Sequence, residues 1–218
     1  MTEAEWLACT DQTPMLELLK GKVSDRKLRL FACACCRLVW SGLTYGRSRL
    51  AVEVAERYAD GAAGDADLER AYSTAQEAVN RCRVRVTGGR LVNRRGVSVE
   101  EARLSMAAEA AHVNRPFRIG RLRWFERDDD VRPTSPGLLR DIFGNQFRPE
   151  TADPRWLTST AVALARTIYE ERAFDRLPIL ADALEDAGCD NADILTHCRG
   201  DGPHVRGCWV VDLVLGKG

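Results

Sequence analysis

The sequence predicts an all-α protein built as two helical lobes of short amphipathic helices. Three observations carry that expectation. Capping residues stand ahead of most apolar stretches, and apolar side chains then recur every three or four positions. A stretch rich in arginine, aspartate and proline, residues 114–136, parts an N-terminal lobe (1–113) from a C-terminal one (137–218).

Each element has its own signal. Thr2 with Glu5 three residues on is a capping box, and it opens a short helix through Trp6 and Leu7. Thr13 followed by Pro14 offers an N-cap and a first-turn proline for MLELL. Ser24 caps SDRKLRLFACACCRLVW. A further helix runs from Ser48 to Tyr58 and stops near Gly61. Asp65 caps a helix whose Leu68, Tyr72, Ala75, Val79 and Cys82 form a one-sided stripe, and such a stripe must pack on a neighbour. Residues 83–92 break the pattern. VRVTGGRLV alternates around Gly88 and Gly89 as a small β-hairpin would, and a flexible arm fits it equally well. Ser98 with Glu101 is a second capping box, for a helix to about His112.

Beyond the dividing stretch, GLLRDIFGNQFRP reads as a short helix ending near Gly144. Asp153 and Pro154 cap a helix through Tyr169, with Leu157, Ala161, Leu164 and Ile168 on one face. Asp175 caps RLPILADALEDA, which Gly188 ends, and Asp190 caps NADILTHCR, which Gly200 ends. The last segment, CWVVDLVL, has the composition of a helix buried on nearly all sides or of a central strand. Its helical surroundings favour the helix.

Composition narrows the function classes. Of 218 residues 45% are hydrophobic and 29% charged, as in ordinary globular proteins, and the formal net charge is zero. No global field therefore steers the chain to nucleic acid or membrane. The first nineteen residues carry four acids and no continuous apolar run, and no stretch nears the roughly 20 residues of a membrane span. The expectation is a cytoplasmic protein with reduced thiols and no membrane partner. No P-loop, GxGxxG, GxSxG or HExxH motif is present, and three histidines are few for acid–base catalysis, so an enzyme is not the favoured reading.

Chemistry-bearing residues gather in four places. Cys33, Cys35 and Cys36 share one helix. Cys33 has Arg29 and Arg37 at i−4 and i+4, cations that would favour a thiolate, and Cys33 with Cys36 has the i, i+3 spacing of a metal-ligand pair. The plainer reading makes them small packing residues. The C-terminal block from Cys189 to Leu215 holds Cys189, His197, Cys198, His204 and Cys208, donors that suit zinc, the one cofactor this composition suggests. Their spacing matches no standard zinc finger. The plainer reading has His197 capping a helix C-terminus and His204 bonded to backbone in a turn. Asp212, inside an apolar run, calls for a partner such as Arg199 or Arg206. In the middle, residues 81–132 hold 13 arginines against 7 acids, and Arg118, Arg121, Arg123, Trp124 and Arg127 interleave cations with an aromatic ring as single-stranded nucleic-acid binders do. The acid run Asp128 to Asp130 beside them fits a self-paired surface loop better.

Three passages carry a resemblance: TEAEWLACTDQTPMLELL with DRKLRLFACACCRLVW and AVEVAERYADG; then LLRDIFGNQFRP; then RAFDRLPILADALEDAGCDNADILTHCRG with HVRGCWVVDLVLGK. Together, over roughly residues 2–60 and 137–217, they resemble a large paralogous family of planctomycete-type bacterial genomes with no established activity. Gln146 stands where that pattern has proline. The resemblance implies a bacterial intracellular module present in many copies and assigns no functional residue. Taken together, these features lead to the expectation of a non-enzymatic interaction or regulatory module with an unidentified protein partner. A zinc-binding or reactive-thiol protein, and a nucleic-acid binder through the arginine-rich middle, are the alternatives.

Overall fold

The computed structural model describes residues 1–86, 99–112 and 134–218. Among them are eleven α-helices and no strand: α1 (Glu3–Ala8), α2 (Gln12–Leu19), α3 (Asp25–Leu38), α4 (Gly46–Ala59), α5 (Asp65–Val86), α6 (Val99–Ala110), α7 (Ser135–Phe143), α8 (Ser159–Glu171), α9 (Leu177–Asp186), α10 (Ala192–Arg199) and α11 (Trp209–Leu215). The all-α expectation holds, and CWVVDLVL is a helix. Residues 83–86 complete α5, so no hairpin begins at 83; residues 87–92 lie outside the described residues. No helix among the described residues is long and apolar enough to cross a membrane.

The chain forms two compact units, residues 9–136 and residues 137–218 together with 1–8. In the first, α3, α4, α5 and α6 pack on one another. The stripe of α5 is buried as its spacing requires, with Leu68, Ala75, Val79 and Cys82 at 0–2% exposure, while Tyr72 meets the His112 ring edge-on at 4.6 Å. Ion pairs cross this unit at its margin. Arg37 grips Glu56 through two bonds of 2.8 and 3.1 Å, tying α3 to α4, and Arg26 reaches Asp60. Buried Arg29 donates to the carbonyls of Ala110 and His112, at the open C-terminal end of α6 where a cation is favoured.

In the second unit Ala161, Ala165 and Ile168 of α8, Leu180 and Leu184 of α9, Ile194 of α10, and Val210, Val211 and Val214 of α11 share one core. Trp6 of α1 is fully buried, and its indole N–H donates to the Gly144 carbonyl at 3.1 Å. Several caps differ from the sequence expectation by a residue or more. Asp11 rather than Thr13 caps α2, and Asn191 rather than Asp190 caps α10, because each side chain accepts from N–H groups of the first turn. Asp153 caps only a 3-10 turn, Pro154–Trp156. The helix proper starts after Thr158, so Leu157 precedes it and is exposed, and Ala165 and Tyr169 complete the buried face. Asp175 lies inside a second 3-10 turn, Phe174–Arg176, ahead of α9.

Candidate metal centre

Four side chains of the second unit converge: Asp141, His197, His204 and Cys208, with one potential ligand atom from each lying within 4.8 Å of all the others. Local sequence places each of them. On α7 the spacing Leu138, Asp141, Ile142 is i, i+3, i+4, so Asp141 shares the inward face of its apolar neighbours and is 3% exposed. His197 sits in the last turn of α10, which Gly200 ends. The irregular segment 200–207 then returns to α7. Pro203 packs where Gly137 has no side chain, since a Cβ there would stand 3.1 Å from the proline ring. Gly207, at φ +90°, turns the chain so that Cys208 becomes the N-cap of α11.

The contacts share one focus. Asp141 Oδ1 is 2.7 Å from His204 Nδ1 and 3.2 Å from His197 Nε2, and that same Nε2 is 3.2 Å from Cys208 Sγ. The other atoms of these groups are held from outside. Val205 N–H donates to Asp141 Oδ2 at 3.0 Å, and His204 Nε2 faces the Gly200 carbonyl at 3.2 Å. A carbonyl can only accept, so the bond to Gly200 places a proton on His204 Nε2. In the neutral ring Nδ1 then carries a lone pair aimed at a carboxylate oxygen. Such an approach needs a positive charge between the atoms, either a proton or a metal ion. An imidazole whose second nitrogen is fixed by a backbone carbonyl is also the usual outer support of a metal-ligating histidine.

Electrostatics follow from the same contacts. Burial alone would raise Asp141's pKa, but hydrogen bonds and charge from His197 and His204 hold it below the ordinary carboxylate value. Its place near the C-terminal end of α7, where the helix dipole disfavours an anion, adds to the need for cationic company. Burial works against a charged His204, yet the bond to Asp141 outweighs it and its pKa is raised. Burial, with Asp141's charge behind it, pushes the Cys208 thiol well above its usual range. A fully buried thiol of that kind is a poor nucleophile. Nor is this a Cys–His–Asp relay. A relay puts the thiol and the carboxylate on opposite nitrogens of the imidazole, whereas here both approach Nε2.

The other residues singled out in the sequence fare differently. Cys189 and Cys198 lie in the apolar core of the same unit and are not among the four donors; burial raises both thiols, Cys198 to about 12. Cys33 and Cys36 are 1% and 0% exposed, and burial lifts both well above the ordinary thiol value. For Cys33, burial and the charge of Glu56 outweigh Arg29 and Arg37, which by themselves favour the thiolate as their spacing suggests. Arg199 pairs with Asp182 and Glu185, while Arg206 donates to the carbonyls of Tyr169 and Glu170. Arg118, Arg121, Arg123, Trp124 and Arg127 lie outside the described residues. The donor that sequence reading missed is Asp141. Its signal was a carboxylate on the apolar stripe of LLRDIF. Comparison with protein-family models, curated proteins and solved structures finds no match to this chain.

Proposed function

We propose that the C-terminal unit binds a divalent transition metal ion, zinc by the chemistry of its donors, through Asp141 Oδ1, His197 Nε2, His204 Nδ1 and Cys208 Sγ. The supporting observation is the approach of His204 Nδ1 and His197 Nε2 to the same oxygen of a buried carboxylate, beside a buried sulfur. Two imidazoles, one thiolate and one carboxylate make a borderline-soft set, which suits zinc and not the all-oxygen preference of magnesium or calcium. Tetrahedral zinc, with bonds of about 2.0–2.3 Å, spaces neighbouring donors roughly 3.3–3.6 Å apart, so the pairs now at 2.7–3.2 Å would spread and the widest, up to 4.8 Å, would draw in.

The test is metal content of full-length protein purified without a histidine tag, followed by cobalt(II) substitution. About one zinc per chain is expected. So is a tetrahedral cobalt spectrum whose thiolate-to-metal charge-transfer band disappears in Cys208→Ser. Zinc affinity that Asp141→Ala and His204→Ala each leave intact would sink the reading.

A further inference from the structure

Resting on that metal reading, we infer that the ion is a folding clamp that holds residues 200–215 in place, so that order in this segment depends on zinc. The four donors come from four separate pieces of chain: α7, the last turn of α10, the irregular segment after it, and the N-cap of α11. A single ion would cross-link all four.

The pieces to be held are weak by themselves. Helix α11 has seven residues, well below the roughly 12–15 at which an isolated helix becomes even marginally stable. Segment 200–207 has no regular structure. Among its anchors are Pro203 against Gly137, His204 and Val205 on Asp141, and Arg206 on two carbonyls at the end of α8. Two of these are contacts to one carboxylate, Val205 N–H on Oδ2 and His204 Nδ1 on Oδ1, and the second joins two of the proposed ligand atoms themselves.

The donor set also matches a structural site. Four protein donors would fill a tetrahedral shell, and Cys208 and Asp141 are 0% and 3% exposed while the two histidines are partly exposed. Both carboxylate oxygens are assigned, Oδ2 to Val205 N–H and Oδ1 to the donor cluster, so the outer support is built around a ligand set and not around a substrate. Without the ion, hydrogen bonds from the two imidazoles hold the buried carboxylate; with it, all four donors would be cross-linked.

The experiment is hydrogen–deuterium exchange on the full chain, with zinc and with a chelator, read beside zinc stoichiometry. With free zinc about 100-fold above the dissociation constant, amides of α11 should exchange about 100-fold more slowly than in chelator. Amides of α4 and α5, in the other unit, should not respond. Asp141→Asn, which keeps an acceptor for Val205 N–H but loses the anionic ligand, should show chelator-like exchange in α11 whether or not zinc is added. If that variant fails to fold, the wild-type comparison decides alone. Cys198→Ala should keep the zinc response. Stoichiometric zinc with unchanged protection of α11 overturns the clamp and leaves metal binding standing. No bound zinc overturns both.

Discussion

Gly144 lies between Trp6 of α1 and Trp209 of α11, beside the four-donor cluster, and Gly144→Ala measures how tightly they pack. Its φ is +63°, where a residue with a Cβ is strained by roughly 1–2 kcal/mol. An added Cβ would also stand 3.1 Å from Trp209 Cγ and 3.3 Å from Cδ2, closer than ordinary van der Waals contact. The His197 ring, 5.1 Å away between centroids, is another neighbour the indole must clear as it shifts. Overpacking of this kind costs about 1–3 kcal/mol. The same residue's carbonyl accepts the Trp6 indole N–H, so displacement puts that bond at risk too. The expected loss is roughly 2–5 kcal/mol, a large share of the ~5–15 kcal/mol typical of a domain. Urea unfolding followed by tryptophan fluorescence measures it. Gly188→Ala is the internal control: its φ is +88° with nothing within 4 Å of an added Cβ, so it carries the backbone strain without the contact. Equal losses at the two positions, or a Gly144→Ala loss under about 0.5 kcal/mol, would refute the argument that Trp209 is wedged against Gly144.

Three further outcomes are expected. Arg37→Ala should cost about 3–5 kcal/mol, since it strips the bidentate partner from a carboxylate that is 3% exposed, and Glu56→Gln should cost less because Arg37 is a quarter exposed and can turn to water; denaturant midpoints of the two variants check the order, and a reversal refutes it. Burial raises the thiols of Cys33, Cys35 and Cys36, so the folded state holds their protons more tightly than the unfolded state does. Their contribution is complete below the ordinary thiol range and is lost as pH climbs through it. Unfolding midpoints at pH 7.5 and 9.5 should therefore fall on the alkaline side by up to about 1.4 kcal/mol per pH unit per thiol, and Cys33→Ala should shrink the slope; a slope unchanged in that variant contradicts the assignment. In a thiol-reagent titration of the folded protein, partly exposed Cys9 should react first and the buried cysteines only on unfolding, an order that a fast phase lost in Cys36→Ala would overturn.

Local physics made the helices legible in the chain itself. Capping side chains, the three-and-four spacing of Leu68 to Cys82 and the stop at Gly144 act over a few residues, so they can be read without knowing the fold. Even the errors were local: Thr13 for Asp11 and Asp190 for Asn191 are choices between capping side chains one or two residues apart, settled by which oxygen reaches the first-turn amides. What sits beside what was not legible. Burial of Cys33 depends on what covers α3, and on Arg37 being committed to Glu56 nineteen residues along the chain. His204 and Cys208 read as a plausible chelating pair within reach of His197, yet Cys189 and Cys198 in the same block stood as candidates beside them. Tertiary packing turned Cys189 and Cys198 into the core and brought in Asp141, 63 residues before His204, as the group on which the site centres. Helix periodicity is an intra-segment property written in neighbouring side chains. The meeting of a carboxylate on α7 with a turn beyond α10 is fixed by how whole helices pack, and only the folded chain records that.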